Sequence, residues 1–374
     1  MPTTLLPQIG NPQLFMREII ERVATGPELS KNLSCEEARR GAQLILDEQV
    51  DPVQAGIYLI ALRMKRETED ENKGVLQALL DSSSTAQAAV DEVLAIGDPH
   101  SGFTRCLPAS PFLAPVLASC KLATVSYGVE SVGPKFGVTH HKILTAAGVD
   151  VDLPLEEAAQ RVADPSIGWA YVDQYRYSPK LDNLRTLRNL IVKRSCLTTA
   201  EVMIAPLRGR RSTHLITGYV HRAYPTVYGM LSRVAGFESA LIVRGVEGGV
   251  IPSLQQPSKA LRYLEDDKPI EWRLAPTELG IESAYRAVPL PAQLSDEMQT
   301  QVRYPQDYVD AMADKAAMLG VAALRGEPGP TRDSLIYGAA LCLCHLNRYD
   351  SLEAGALFAQ QAIDSGDALR RLQQ

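Results

Sequence analysis

The chain has 374 residues, of which 45% are hydrophobic and 22% are charged, and its net charge is −6. This length and composition indicate a soluble globular protein with two domains. The six cysteines are scattered and form no CxxC pair, so the sequence indicates neither a zinc site nor a disulfide framework. No apolar run reaches the roughly 18 residues of a membrane span, and no charged segment followed by an apolar one marks a secretory signal, so we expect a cytoplasmic protein.

The sequence predicts helices for most of its first eighty residues. Apolar residues recur at helical spacing over 12–23, and a further helix is predicted over 68–80. Ser34 and Glu37 form a capping box at the start of a second helix, and Pro52 takes the first position of a third. Residues 53–64 are apolar almost all round, so we expect them to be buried in a domain core or at a subunit contact.

From residue 93 onward, short apolar strands alternate with helices, which is typical of a mainly parallel sheet. The predicted strands are 93–96, 122–125, 169–172, 215–220 and 240–243. The predicted helices between them are 111–119, 139–147, 155–162 and 226–235, and three more follow at 308–324, 332–347 and 351–364. Residues 182–205 are helical and basic, and we expect them to rejoin the N-terminal helices.

The predicted fold class is therefore α/β, with a small all-helical domain and a large α/β domain whose mainly parallel central sheet is flanked by helices. The helical domain comprises residues 1–88 together with about 176–205. The α/β domain comprises residues 89–175 together with 206–374.

A glycine-rich segment at 126–148 joins the second predicted strand to the next helix and carries Lys135. Glycines let backbone N–H groups approach a ligand, and a lysine beside them favours negative charge, so one interpretation is an anion site. The other is an ordinary strand-to-helix connection with Thr139 as N-cap and Gly148 as the helix stop. The glycines concerned are Gly128, Gly133 and Gly137.

The segment 176–222 carries a net charge of +8 within an acidic chain, which suggests an anionic partner; the alternative is a solvated surface. Its basic residues are Arg176, Lys180, Arg185, Arg188, Lys193, Arg194, Arg208, Arg210, Arg211 and Arg222.

The glycine-rich segment resembles a loop of the anthranilate phosphoribosyltransferases, which reads Lys-His-Gly-Asn and is followed by Ser-Val, a lysine and a glycine. The residues in matching register are Gly128, Ser131, Val132, Lys135 and Gly137. Further blocks resemble that family in the family's order, namely 56–65, 167–169, 188–194, 325–333 and 350–355. The resemblance implies a small helical domain that forms a homodimer contact, a large α/β domain, and a ligand cleft between them.

The resemblance also implies a diphosphate loop, but residues 96–105 differ from the family's Gly-Thr-Gly-Gly-Asp motif. The carboxylate of Asp98 would repel a phosphate there, and Pro99 removes a backbone N–H donor. The family's magnesium-binding Asp-Glu pair falls at Val246 and Glu247, so Glu247 is a weak metal candidate, and magnesium is expected only if phosphoribosyl diphosphate binds. The expected phosphate contacts are Gly97, Ser101, Gly102, Thr104, Lys135 and Arg188.

The acceptor side of the family's site is changed more than the phosphate side. Val129 replaces the asparagine that meets the substrate, and 175–180 replaces a His-His-Pro stretch. We therefore expect a pentosyl transferase, or a binder of a phosphorylated ribosyl ligand, whose acceptor is not anthranilate. The expected acceptor pocket consists of Tyr127, Val129, Tyr175 and Tyr177. No catalytic residue is assigned.

A nucleic-acid-binding paralogue of the same fold supplies an alternative, because 197–206, 220–224 and 245–248 resemble it. In this alternative the chain is a non-catalytic binder of single-stranded nucleic acid, whose phosphates contact a basic face. The residues of that face are Arg176, Lys180, Lys193, Arg194, Arg208, Arg210, Arg211 and Arg222. A dimeric scaffold with an empty cleft is a third possibility.

Overall fold

The computed structural model describes residues 11–26, 28–264, 268–292, 294 and 306–374. Four helices open it, and side chains cap their first turns, as predicted for Ser34 and Glu37. Ser34 and Glu37 form a capping box, as do Thr68 and Glu71, while Asp51 accepts from Val53 N. The helices are α1 (Pro12–Val23), α2 (Cys35–Leu46), α3 (Pro52–Lys65) and α4 (Glu69–Asp81).

A seven-stranded sheet forms the centre of the large domain, in the order β4-β3-β2-β6-β7-β8-β9. The first five of these strands are parallel, and β8 and β9 are antiparallel additions at one edge. Its strands are β2 (Glu92–Gly97), β3 (Thr124–Gly128), β4 (Trp169–Asp173), β6 (Ser212–Gly218), β7 (Ser239–Val243), β8 (Ser258–Tyr263) and β9 (Ile270–Leu274). A separate parallel pair consists of β1 (Ala86–Gln87) and β5 (Leu207–Arg208).

Helices cover both faces of this sheet. Those before β8 are α5 (Leu113–Ser119), α6 (His140–Ala146), α7 (Leu155–Ala163), α8 (Gln174–Tyr177), α9 (Pro179–Asn183), α10 (Arg185–Ile191), α11 (Cys196–Ala200) and α12 (Tyr224–Val234). The C-terminal helices are α13 (Gln306–Leu324), α14 (Pro330–His345), α15 (Leu352–Asp364) and α16 (Asp367–Leu372). In the described ranges, no helix has the length and apolar character to cross a bilayer.

Two hydrophobic cores lie on opposite faces of the sheet, because successive side chains of a strand point to opposite sides. Leu94 and Ile96 of β2 pack into the core that contains α5 and the C-terminal helices. Val93 and Ala95 pack into the core shared with the N-terminal helices. Since both faces are covered, the parallel strands read as continuous apolar runs, which is why the sequence reveals them.

The basic helical excursion returns to the N-terminal helices. Helix α10 packs on α3, and α11 packs on both α3 and α4. Helix α12 of the large domain also packs on α4. These contacts bring α3 and α11 to the open end of the parallel strands, where a cleft forms.

Helix α3 is buried on one side only, although the sequence predicts burial almost all round. Tyr58 and Leu62 are fully buried, whereas Val53, Ile57 and Met64 are 69%, 43% and 75% exposed. The helix therefore serves a domain core with one face and leaves its other apolar face without a partner in the described chain.

Candidate functional site

The cleft lies at the carboxyl ends of β2 and β6, two neighbouring strands from which the chain proceeds in opposite directions across the sheet. Ligand sites in open α/β sheets occupy this kind of switch point, because the two following loops diverge there. Gly97 and Thr217 end the paired register, and the Thr217 hydroxyl donates to Gly97 O over 2.7 Å.

Two adjoining cavities form the cleft. The smaller, of about 80 Å³, lies between the helical domain and the sheet, with Arg63 on one wall and Gly97, Pro99, His100 and Ser101 on the other. The larger is an open groove of about 1040 Å³ that runs over the turn at 244–247. Arg194, Val220, His221 and Glu247 line both cavities, so the two are continuous.

The cleft is strongly cationic although the chain is acidic. Glu247 is the one carboxylate among the described residues that line the two cavities. Arg105, Arg194, Arg244 and Arg286 form no ion pair within the described ranges. A concave wall of unpaired arginines concentrates positive potential and attracts anions. The lining cations are Arg63, Arg105, Lys135, Arg194, Arg244 and Arg286.

The carboxylate of Glu247 fills a cradle of donors at the centre of this wall. Thr104 N donates to it over 3.2 Å, Arg105 N over 2.6 Å, and the Thr104 hydroxyl over 3.3 Å. The ammonium nitrogen of Lys135 lies 3.2 Å from Glu247 Oε2 and also donates to Gly102 O over 3.1 Å. Burial lowers the pKa of Lys135, and the Glu247 charge opposes that shift.

The glycines of 126–138 bring two loops together rather than offering free donors. Phe103 and Val138 form a bridge, and a Cβ on Gly137 would lie 2.3 Å from Phe103 O. Gly137 N donates to Ser101 O, and Gly133 N donates to Asn189 Oδ1. The backbone part of the predicted anion site is therefore wrong for these two glycines, whereas Lys135 does reach the cleft.

The helix after this loop begins and ends as the sequence predicts. The Thr139 hydroxyl accepts from Lys142 N at the start of α6. Gly148 follows the helix with a left-handed φ of +79°. The segment is thus an ordinary strand-to-helix connection, and it also carries Lys135 to the cleft.

Asp98 is buried beneath the first loop, so the predicted repulsion of phosphate is wrong. Its carboxylate accepts from the Ser110 hydroxyl, from His140 Nε2 over 2.8 Å and from Val250 N over 2.9 Å. Ser110 instead opens a short 3₁₀ turn (Ser110–Phe112), and α5 begins at Leu113, two residues after its predicted start. His140 Nδ1 is 2.8 Å from the Ser126 hydroxyl, which completes a sealed polar network.

The expected acceptor residues do not line the two cavities. Tyr127 and Tyr177 are buried, and Tyr177 OH lies 3.2 Å from Nε2 of His100. Val129 is also buried, and Tyr175 is partly exposed beneath the guanidinium of Arg176. His100 lines the smaller cavity instead, and burial lowers its pKa, which favours the neutral imidazole.

The remaining phosphate candidates divide into two groups. Gly97 and Ser101 line the smaller cavity, and Thr104 lines the larger. Arg188 is buried away from both, and its guanidinium donates to the two carboxylate oxygens of Glu201 over 2.7 and 2.8 Å. Its donors are therefore engaged in the interior, not directed at a ligand.

The basic segment 176–222 does not form a continuous cationic face. Half of its ten basic side chains pair with carboxylates, four of them with partners from other parts of the chain. Arg208 donates to Ala235 O over 2.7 Å and stacks on Phe237 at the end of α12. The paired residues are Arg176, Lys180, Arg185, Arg188 and Arg211.

The residues present do not fit a magnesium ion held by the protein. Both oxygens of Glu247 already accept hydrogen bonds, and an ammonium group lies beside them. A hard cation needs several free oxygen ligands. Across the described residues, no group of three or more His, Cys, Asp or Glu is placed to hold a metal.

Sequence reasoning missed most of the cleft cations. Arg63, Arg105, Arg244 and Arg286 come from four distant parts of the chain and belong to no local motif. For two of them the position in the chain was a signal of the cleft, because Arg105 and Arg244 each follow the carboxyl end of a parallel strand.

Comparisons with known proteins agree with this architecture. Residues 17–83 match the helical bundle domain of a glycosyl transferase family. The anthranilate phosphoribosyltransferase of Rhodopseudomonas palustris strain BisA53 is 24% identical over 356 residues, which are 95% of this chain and 96% of that protein. The enzyme of Syntrophomonas wolfei is 26% identical over 344 residues, 91% of this chain and 92% of that protein.

Solved structures of similar proteins show the same fold. The anthranilate phosphoribosyltransferase of Thermus thermophilus superposes with a TM-score of 0.68 at 18% identity and covers 96% of this chain and 97% of its own. The Saccharomyces cerevisiae enzyme in complex with PRPP and Mg gives 0.71 at 14% identity, with 96% of each chain covered. The chain therefore has the fold of these solved structures, and it is similar along nearly its whole length to anthranilate phosphoribosyltransferases.

Proposed function

We propose that this chain binds a phosphorylated ribosyl ligand in the cleft between its domains and transfers the ribosyl group to an acceptor other than anthranilate. The observation that carries the proposal is the cleft wall itself, where, among the described residues, four arginines without an ion pair and Lys135 face a single carboxylate. An acidic chain gains nothing in folding from collecting unpaired cations in one groove, so a ligand anion is the simplest reason for them.

The cleft residues supply positioning and charge. Arg105, Arg244 and Arg286 would hold phosphate oxygens by charge-assisted hydrogen bonds, and residues 97–101 would set the depth at which the ribosyl group sits. Negative charge grows on a departing diphosphate, so fixed cations there stabilise the transition state more than the ground state. No covalent intermediate with the protein is required.

Magnesium enters the proposal only as an ion brought by the diphosphate of the ligand. The single cleft carboxylate is engaged by Lys135 and two backbone N–H groups. We therefore expect ligand binding to depend less on magnesium than it would with a free carboxylate pair.

The side chains at Tyr127, Val129 and Tyr177 support a changed acceptor. Tyr127 and Tyr177 fill the space beneath that imidazole, with ring centroids 6.0 Å apart, and Val129 adds no polar group. An acid such as anthranilate needs donors for its carboxylate, and these three residues direct none into the cleft. We propose that they shape the floor of the acceptor pocket from beneath, and that Tyr175 lies outside it.

We also propose a homodimer through the helical domain. Val53 and Ile57 of α3 are exposed, and so are Leu190 and Val192 at the end of α10. Helix α10 packs on α3 near Gly56, so the four side chains belong to one side of the helical domain. An apolar face of this kind on an otherwise polar surface favours a subunit contact.

The experiment is isothermal titration with phosphoribosyl diphosphate, with and without magnesium. The wild type should bind in both conditions, and the Arg244→Ala/Arg286→Ala variant should bind about tenfold or more weakly, because hydrogen bonds between charged groups contribute about 1.5–3 kcal/mol each. Arg210→Ala is the matched control, since Arg210 is exposed just before the amino end of β6, at the end of the strands opposite the cleft. No heat at millimolar ligand would refute the proposal.

The nucleic-acid alternative is tested with the same variants. Single-stranded DNA should bind weakly or not at all, because half of the basic segment is already paired. Tight binding that falls steeply with salt and is lost in Arg210→Ala would favour the alternative.

A further inference from the structure

Five donor groups converge on the carboxylate of Glu247. Two are the consecutive backbone N–H groups of Thr104 and Arg105, and the others are the Thr104 hydroxyl, the Cys106 thiol and the Lys135 ammonium. Consecutive backbone N–H groups beside an ammonium form the kind of concavity that proteins use to bind phosphate. Here an internal carboxylate has taken that place.

The cradle does not depend on Glu247 for its shape. Lys135 is held independently, because its ammonium also donates to Gly102 O. The bridge between Phe103 and Val138 fixes the two loops that carry the donors. Removal of the carboxylate would therefore leave the donors in position, directed at the groove.

The backbone that carries Glu247 is held in a strained conformation. Glu247 has a left-handed φ of +53°, which non-glycine residues adopt only when neighbouring contacts hold them there. It lies in a turn rich in glycine, between Gly245 and Gly249, and Gly248 has a φ of +88°. The hydrogen bonds of the carboxylate help to hold this conformation, so their loss to a second anion would allow the turn to relax.

We propose that Thr104, Arg105 and Lys135 form a phosphate subsite which Glu247 occupies with its own carboxylate in the ligand-free protein, so that Glu247 competes with the phosphate of an incoming ligand. The inference rests on the proposed function, since it takes the groove to be the site of a phosphorylated ligand. It adds that Glu247 sets the affinity of that site. Free inorganic phosphate is bound poorly, and a ligand displaces Glu247 only when further groups contact the outer arginines.

A purely structural ion pair between Glu247 and Lys135 predicts something different. In that case neutralising Glu247 lowers the stability of the fold and leaves the affinity for anions unchanged. In the competing-anion case the same change removes a like charge from the subsite, and a charge at this distance changes an equilibrium by tenfold or more.

The experiment compares wild type and Glu247→Gln by titration with inorganic phosphate and with pyrophosphate, at matched ionic strength and without magnesium. Glu247→Gln keeps the shape of the side chain and should raise both affinities at least tenfold. The gain should disappear in the Lys135→Met/Glu247→Gln variant. The matched control is Glu271→Gln, an ion-paired carboxylate outside the cleft, which should leave the affinities unchanged.

An unchanged or lower affinity in Glu247→Gln overturns the inference. If the wild type then still binds phosphoribosyl diphosphate, the proposed function stands without it; if neither protein binds any of these anions, both fail. A wild-type crystal soaked in pyrophosphate gives a reading that needs no variant. Phosphate density at Thr104 N and Arg105 N with Glu247 turned away supports the inference, and an unmoved Glu247 with phosphate bound elsewhere in the groove overturns it.

Discussion

The ammonium nitrogen of Lys135 lies 3.2 Å from Oε2 of Glu247, although the two residues are 112 positions apart in the chain. The contact joins the loop after β3 to the turn after β7, and so ties together two loops at the carboxyl ends of the sheet. It places one cation and the single described carboxylate of the cleft in the same cradle, and within the described ranges it leaves Arg105, Arg194, Arg244 and Arg286 without an ion pair. The anion chemistry of this chain depends on that arrangement.

Arg188 is expected to act on stability. It forms a bidentate ion pair with Glu201 in the interior. Burial alone would raise the pKa of Glu201, but the charge and hydrogen bonds of Arg188, together with His100 and Gln174, outweigh burial and lower that pKa. Arg188→Met should reduce the free energy of unfolding in urea by about 3–5 kcal/mol, because it leaves a buried charge without a partner. The control is Arg185→Met, which breaks a more exposed pair and should cost less than about 1 kcal/mol. Equal losses in the two variants would contradict this.

His345 should make stability depend on pH below neutrality. Burial lowers its pKa from 6.5 to about 3, so the unfolded chain binds a proton in this range that the folded chain does not. The contribution of His345 to stability is therefore fully present above the pKa of the unfolded chain. It falls as pH decreases toward the pKa of the folded protein, by about 2 kcal/mol between pH 8 and pH 5. The measurement is urea unfolding at both pH values. Between pH 8 and pH 5, the free energy of unfolding of His345→Gln should fall by about 2 kcal/mol less than that of the wild type. Identical pH dependence in the two proteins would show that His345 is not the group responsible.

Arg208 and Arg210 should behave differently although they are two residues apart. Arg208 donates to Ala235 O and Gly236 O at the end of α12, whereas the side chain of Arg210 is exposed. Arg208→Ala should destabilise the protein by about 1–3 kcal/mol in thermal unfolding, and Arg210→Ala by less than about 0.5 kcal/mol. Reversed effects would mean that this segment is arranged as an external binding surface.

The exposed face of the helical domain should control oligomeric state. Ile57→Glu or Leu190→Glu would place a charge in the proposed contact and shift sedimentation from dimer to monomer without loss of helical circular dichroism. Leu357→Glu is the control, because Leu357 is equally apolar and 57% exposed on α15. If all three variants sediment like the wild type, the dimer contact lies elsewhere.

Most elements of the fold could be predicted because their signals are local. The capping box at Ser34 and Glu37 sets the start of α2, and the buried parallel strands are continuous apolar runs. Strands β8 and β9 were missed for the converse reason. Ser258–Tyr263 and Ile270–Leu274 lie at the sheet edge with mostly half-exposed or exposed side chains, and their charged residues read as surface.

The site was less predictable because its contacts are long-range. The position of Lys135 near the cleft was foreseeable from its place after a strand, but its partner Glu247 follows a different strand. Likewise, Asp98 reads as repulsive to phosphate, and only tertiary packing turns its carboxylate inward to His140 and Val250. Sequence shows which residues follow the strands, and the packing of the loops decides which of them face the ligand.

A crystal of the wild-type protein soaked with phosphoribosyl diphosphate tests the central claim most directly. We expect density for the ligand in the groove, with its phosphates within hydrogen-bonding distance of Arg244, Arg286 or the Thr104–Arg105 loop. A groove that stays empty at saturating ligand, or density bound instead along the exposed Arg210 surface, would contradict it.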